Sequence, residues 1–104
     1  MPVHEYRVEF SAVASGPLAR DAAARLSRAL ASMPGADGLE DTSQDGGRRR
    51  VSATFRITVR LGMADAARDG SRLAKEALKV AGMADAQLTE LAVVLVGRQE
   101  SPPQ

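Results

Sequence analysis

Apolar and polar residues alternate along two segments of the chain, at residues 3–13 and 50–61, and a third strand-like segment at residues 89–98 is more continuously apolar. In the first segment, charged residues such as Glu5 and Arg7 separate the apolar ones. Successive side chains of a strand point to opposite faces, so a period of two predicts a β-strand with one buried face. We therefore expect three well-marked β-strands.

Two segments between these strands carry apolar residues at helical spacing. The first begins at Pro17, since proline suits the first helical position, and ends at the Met-Pro-Gly of residues 33–35. The second runs from Met63 to Ala81. Gly70 lies on its apolar stripe, where glycine costs about 1 kcal/mol in helix propensity. We therefore expect this helix to lie very close to the sheet at Gly70.

The oxygen-rich stretch before the second alternating segment resembles the first half of a calcium-binding loop. Its oxygen donors are Asp41, Ser43 and Asp45, followed by Gly46. Such a loop needs a bidentate glutamate at its twelfth position, where this chain has Ser52. We therefore predict no metal site here.

A β-hairpin accounts better for the same stretch. If Leu39 and Ala53 both face the core, the turn must contain an odd number of residues. A three-residue turn at residues 45–47 meets this condition and supplies a glycine for the bulge position. This register places Thr42 opposite Arg50 on the polar side.

The order of these elements predicts an α+β fold. Residues 19–30 resemble residues 67–78, which suggests two strand–helix–strand halves with a short strand at residues 38–44. The resulting β-α-β-β-α-β order is the ferredoxin-like arrangement, a four-stranded antiparallel sheet with two helices on one face. The alternative is an open sheet of three parallel strands. It requires strands that are apolar on both faces, and the alternating charges argue against it.

Composition and length limit the class of protein. With 104 residues the chain fits one domain, which we place at residues 1–98, followed by a disordered tail at residues 99–104. The absence of cysteine excludes disulfides, thiolate metal sites and cysteine nucleophiles. The sequence has neither a signal-like start nor a spanning segment, so we expect a cytoplasmic protein without membrane association.

Catalysis finds little support in the sequence. His4 is the only histidine, and no serine, acid or second ligand is spaced to act with it. It shares parity with Tyr6, so we expect it at the rim of the core. We predict no catalytic residue, no cofactor and no metal.

Anion binding is one candidate function, as in a small phosphate-binding enzyme or sensor. In the predicted topology the hairpin tip and the start of the first helix lie at the same end of the sheet, where amides and guanidinium groups would converge. The candidate residues are Ser15, Gly16, Arg20, Arg48, Arg49 and Arg50. The competing interpretation is a solvated charged surface.

Nucleic-acid binding is a second candidate, because of the same arginines. The predicted topology is similar to that of RNA-recognition domains, which stack bases on aromatic residues of the open sheet face. Here Tyr6, Phe10 and Phe55 all fall on the inner side. The net charge of +1 gives little long-range attraction. We therefore predict at most weak binding of nucleic acid.

Self-association is the candidate that the last strand favours. Ala92, Val94 and Val96 place apolar side chains on the face where the other strands carry charges and hydroxyl groups. The strand is also an edge strand in this topology, and exposed apolar edges promote association. A folded-back tail is the alternative cover.

We therefore predict a non-enzymatic binding or assembly module that forms a homodimer through its open sheet face or last edge strand. A sheet-to-sheet dimer would enclose a pocket for a small polar or anionic ligand. The pocket candidates are Arg7, Glu9, Thr54, Arg56 and Thr58.

Overall fold

The computed structural model of the chain describes residues 3–60 and 62–99. The elements are β1 (Val3–Val13), α1 (Ala22–Ala31), β2 (Gly38–Asp45), β3 (Arg50–Val59), α2 (Met63–Val80) and β4 (Gln87–Gln99). The predicted tail at residues 99–104 lies outside the described residues, except for Gln99 at the end of β4.

The four strands form one antiparallel sheet in the order β2-β3-β1-β4. β3 and β1 are therefore central, whereas β2 and β4 are the two edges. The short strand predicted at residues 38–44 is present as β2. The prediction of an α+β protein with a four-stranded antiparallel sheet and two helices is confirmed.

The core lies between the helices and one face of the sheet, which we call the inner face. Tyr6, Phe10 and Phe55 are all buried there, as the alternation predicts. The rings of Phe10 and Phe55 meet edge to face, with centroids 6.1 Å apart. Leu26 of α1 and Leu73 of α2 belong to the same buried cluster. The opposite side of the sheet is the outer face.

The close approach of α2 to β1 explains the glycine in the helix. A Cβ atom placed on Gly70 would lie 3.0 Å from Cγ2 of Val8 and 3.1 Å from its Cγ1. A larger residue would force the helix or the Val8 side chain to move. The expectation that Gly70 marks a tight contact between helix and sheet is confirmed.

The first helix begins later than predicted. α1 starts at Ala22 rather than at Pro17. A helix that included the preceding turn would join Ala23 N–H to the Ala19 carbonyl, but the side-chain amide of Gln44 binds both groups. Its Oε1 accepts from Ala23 N–H at 2.8 Å, and its Nε2 donates to the Ala19 oxygen at 3.1 Å. A side chain of β2 thus takes the place of a helical hydrogen bond.

The turn between β2 and β3 is also longer than predicted. Asp45 lies opposite Arg50, so the turn has four residues, 46–49, and Thr42 lies opposite Ala53 rather than Arg50. Oδ1 of Asp45 accepts hydrogen bonds from the backbone N–H of Gly47 at 3.1 Å and from that of Arg48 at 3.3 Å. This side-chain acceptor supports the longer turn.

The left-handed position of this turn is held by an arginine, not by glycine. Arg49 has a φ of 54°, a conformation that costs a non-glycine residue about 1–2 kcal/mol. Its carbonyl accepts from Ala14 N–H at 2.9 Å, and its guanidinium donates to the Ser15 carbonyl at 3.0 Å. These contacts with the end of β1 offset the strain.

Candidate functional site

Four charged side chains form an ion-pair network on the outer face, across β2, β3 and β1. Glu40 accepts hydrogen bonds from Nε of Arg56 at 2.7 Å and from Nε of Arg7 at 3.3 Å. Nη1 of Arg56 also lies 3.6 Å from Oε1 of Glu5. The hydrogen bond from Arg56 is the main reason that the pKa of Glu40 lies below its ordinary value. Two positive and two negative charges cancel, so the network offers little net charge to a ligand.

Glu40 reaches this network because β2 bulges beside it. The register shifts between Leu39 and Asp41, which leaves Glu40 as the extra residue of the strand. A bulge re-aims a side chain relative to strict alternation. The alternation places Arg7 and Arg56 on the outer face but gives no sign of their shared acceptor, because a bulge leaves no mark in the period-two pattern.

A groove of about 500 Å³ lies beside the network on the outer face, along β3, β1 and β4. Ser11 and Ser52 line it and share a hydrogen bond of 2.8 Å between their hydroxyl groups. Glu90 also lines the groove and pairs with the guanidinium of Arg50. Thr89 donates to the Ser11 carbonyl at 3.2 Å, where β4 bulges. The groove therefore has polar side chains along its wall, and Ser11, Ser52, Thr89 and Glu90 already have partners within the protein.

The structure separates the predicted pocket residues into three places. Glu9 and Thr54 line the outer-face groove. Arg7 and Arg56 belong to the ion-pair network. Thr58 is exposed near the end of β3, in a different depression. The pocket stays a prediction, because the structure describes one chain.

Three consecutive side chains of β4 form an exposed apolar strip. They are Val94, Leu95 and Val96, with exposed fractions of 49%, 47% and 43%. Directly opposed residues of an antiparallel pair share a face. Val94 lies opposite Arg7 and therefore on the outer face, whereas Leu95 lies opposite Tyr6 and therefore on the inner face. The strip is apolar on both faces of the strand.

The strip lies on an open edge of the sheet. Within the described residues, β4 pairs only with β1, so its other side presents backbone groups without a strand partner. Residues 91–97 contain no charged side chain. Ala92, the third residue of the predicted interface, is exposed opposite Glu9. An open edge and an exposed apolar strip therefore coincide.

The three hairpin arginines of the predicted anion site, Arg48, Arg49 and Arg50, contact oxygen atoms of the protein itself. Nε of Arg48 lies 3.8 Å from Oδ2 of Asp45, and Arg50 pairs with Glu90. Arg49 donates to a backbone carbonyl, as described above. An incoming anion would have to compete with these partners.

The loop residues of the predicted anion site are placed differently from the expectation. Ser15 and Gly16 precede α1 by several residues, so they do not present its first-turn amides. The backbone N–H and the hydroxyl of Ser15 both donate to Oδ2 of Asp85. Arg20 is exposed before the helix. The predicted topology places the loop before α1 and the β2–β3 turn at the same end of the sheet. It gives no sign that both donors of Ser15 would bind Asp85.

His4 lies at the rim of the inner face, opposite Val59. Its ring centroid is 6.3 Å from that of Tyr6, and its buried Nδ1 has no hydrogen-bond partner within the described residues. In residues 3–60 and 62–99, no three side chains of metal-binding type are grouped to hold an ion.

A scan of the chain against protein-family models finds no match, and a search of curated proteins finds none either. None of the described helices is long and apolar enough to cross a membrane. The inference about function therefore depends on the geometry of the site.

Proposed function

We propose that the protein is a non-enzymatic assembly module that forms a homodimer by pairing β4 with β4 of a second copy. The observation that carries the proposal is the exposure of Val94 and Leu95 on opposite faces of one edge strand. We also assign the fold to the ferredoxin-like arrangement, which the β-α-β-β-α-β order and the strand order β2-β3-β1-β4 support.

Edge pairing explains the apolar strip better than face-to-face packing. A second sheet laid against the outer face would cover Val94 but would leave Leu95 exposed on the inner face. A strand added beside β4 contributes side chains to both faces, because its side chains also alternate. It would also supply hydrogen-bond partners for the open edge.

The chemistry of β4 suits a second copy of the same chain. In a two-fold symmetric pair of antiparallel strands, the same segment lies opposite itself. Residues 91–97 are uncharged, so this pairing brings no like charges together within the segment. The small net charge of +1 adds little repulsion between two copies.

Sedimentation equilibrium of the full chain over a range of concentrations tests the proposal. We expect a dimer that dissociates on dilution, and weaker dimers for both Val94→Lys and Leu95→Lys. Equal sensitivity at the two positions supports edge pairing, whereas weakening by Val94→Lys alone indicates face-to-face packing. A wild-type chain that remains monomeric at high micromolar concentration overturns the proposal.

A further inference from the structure

A cavity of about 180 Å³ lies where the segment between β1 and α1 meets the turn after α2. Leu18 and Met83 line it with apolar groups, and Arg25 and Asp85 bring one positive and one negative charge. Sites for drug-sized ligands usually measure about 300–1,000 Å³. This cavity therefore suits a much smaller molecule that has polar and apolar parts.

The cavity is next to residues 14–21, the segment before α1 that the sequence pattern predicts to be partly helical and that is irregular in the structure. The sequence pattern favours a helix that begins at Pro17. The Gln44 amide instead binds the Ala19 carbonyl and the Ala23 N–H, which would bond to each other in such a helix, and residues 14–21 form no regular element. Places where tertiary contacts override local preference are often functional sites. The irregular segment contributes Gly16 and Leu18 to the cavity wall.

The Asp85 carboxylate is held in a defined position by Ser15. Its Oδ2 accepts the Ser15 backbone N–H at 3.3 Å and also the Ser15 hydroxyl. These hydrogen bonds lower the pKa of Asp85 and so favour its ionised form. A fixed carboxylate beside apolar side chains is a suitable partner for an ammonium group.

The Arg25 guanidinium is oriented in a similar way. Its Nε donates to Asp21 at 3.1 Å, and its terminal nitrogens have no hydrogen-bond acceptor within the described residues. Nη1 lies 3.7 Å from the position of a Cβ atom on Gly82, another residue of the cavity wall. The remaining N–H groups can bind a carboxylate through parallel hydrogen bonds.

We infer that this cavity binds a small aliphatic amino acid. The ligand's ammonium group would lie at Asp85, its carboxylate at Arg25, and its side chain against Leu18 and Met83. A zwitterion can contact both charged residues at once, whereas a ligand with a single charge can contact only one of them, so the two residues together favour a zwitterion. The residues that line the cavity all precede β4 in the chain, and binding there does not depend on dimer formation.

Titration of ¹⁵N-labelled protein with L-valine tests this inference, with the amides of Gly16 and Gly82 as reporters. Isovalerate lacks the ammonium group and isobutylamine lacks the carboxylate, but both keep a branched apolar body. We expect saturable shifts with L-valine and binding at least about tenfold weaker for either analogue. The absence of saturable shifts with L-valine, or equal binding of one analogue, would overturn the inference.

Two variants complete the test. Arg25 lines the cavity and is exposed, so Arg25→Gln removes its positive charge without disturbing the core. Asp85→Asn keeps an oxygen for Ser15 but removes the charge. We expect both to weaken L-valine binding at least about tenfold, and Asp85→Asn to spare isovalerate. Wild-type affinity for L-valine in a folded Arg25→Gln protein contradicts the site.

Discussion

The two edges of the sheet are protected to very different degrees. β2 is an eight-residue strand with three acidic side chains, Glu40, Asp41 and Asp45, and a bulge at the first of them. β4 has thirteen residues and an uncharged run at residues 91–97. Charges, bulges and short length are the usual means of blocking strand addition. β4 also contains two bulges, but its exposed apolar strip has no charge to oppose a partner.

This asymmetry has a consequence for assembly. A sheet with two open edges can add copies at both sides and grow without limit, whereas one open edge allows only a closed pair. The proposed dimer would therefore use β4, and the acidic residues and bulge of β2 oppose the addition of further copies at the other edge. Substitutions on the two edges should therefore differ in their effect on association.

The largest effect is expected from charging the β4 edge. In a symmetric dimer each substitution counts twice, so the double variant removes two valines and two leucines from the interface, and the two valines alone, at about 1.5 kcal/mol each, correspond to about 3 kcal/mol. The dissociation constant of Val94→Lys/Leu95→Lys should therefore rise at least about a hundredfold, measured by sedimentation. The matched control is Ser43→Lys on β2, which should leave the dimer unchanged. Equal loss from both edges would mean that β4 is not the interface.

The next largest effect separates folding from association. Gly70→Val places a branched side chain against Val8 of the central strand β1, and such overpacking typically lowers the free energy of unfolding by about 1–3 kcal/mol. Urea denaturation measures it. Arg72→Val, on the exposed side of the same helix, is the control and should lose much less. If the two variants are equally stable, α2 does not lie close on β1.

A smaller effect is expected where β2 holds the first helix. Gln44→Ala removes two hydrogen bonds to the start of α1, and we expect a loss of about 1 kcal/mol in the free energy of unfolding. With Gln44 absent, Ala23 N–H is free to bond to the Ala19 carbonyl. Carbon chemical shifts of residues 17–21 should therefore move toward helical values.

The control for this variant is Ser43→Ala, the neighbouring change on the outer face of β2. It should alter neither stability nor the chemical shifts before Ala22. Unchanged shifts in Gln44→Ala would show that another contact keeps the segment out of the helix.

The smallest effect concerns the ion-pair network next to the β2 edge. Because the folded protein lowers the pKa of Glu40, the ionised carboxylate stabilises the fold above the ordinary glutamate value of 4.5, and this stabilisation is lost as the pH falls through the folded pKa. Glu40→Gln should therefore be slightly less stable than the wild type at pH 7. The difference should shrink in acid, as measured by thermal unfolding across pH.

Asp41→Asn is the charge-matched control for Glu40→Gln. It removes one negative charge from the adjacent residue, which makes no ion pair within the described residues. If Asp41→Asn loses as much thermal stability as Glu40→Gln, with the same dependence on pH, the effect comes from the change in net charge and not from the ion-pair network.

Much of the sheet could be predicted from the pattern of residues. The alternation in β1 and β3 correctly assigned the inner and outer faces, including the three buried aromatic residues. The unusual outer apolar residues of β4 were also visible, since Ala92 and Val94 break the polar pattern of the other strands. These features depend on a regular period, which the sequence carries directly.

The features that the pattern missed depend on single side chains from distant parts of the chain. Gln44 moves the start of α1, Asp85 occupies the donors of Ser15, and Glu40 joins Arg7 to Arg56 through a bulge. Each contact spans tens of residues and requires a specific register. No local preference indicates such a contact before the strands are paired.

The sequence by itself determined the order of the strands and helices, which faces are apolar, and that the last strand is unlike the others. Those properties follow from the spacing of apolar side chains, and burial of the apolar face is the dominant favourable term in folding. Only the tertiary structure decided where the hairpin turns, where the first helix begins and which charges meet. These depend on hydrogen bonds between residues that are distant in the chain, and such bonds form only after the sheet has brought their partners within reach.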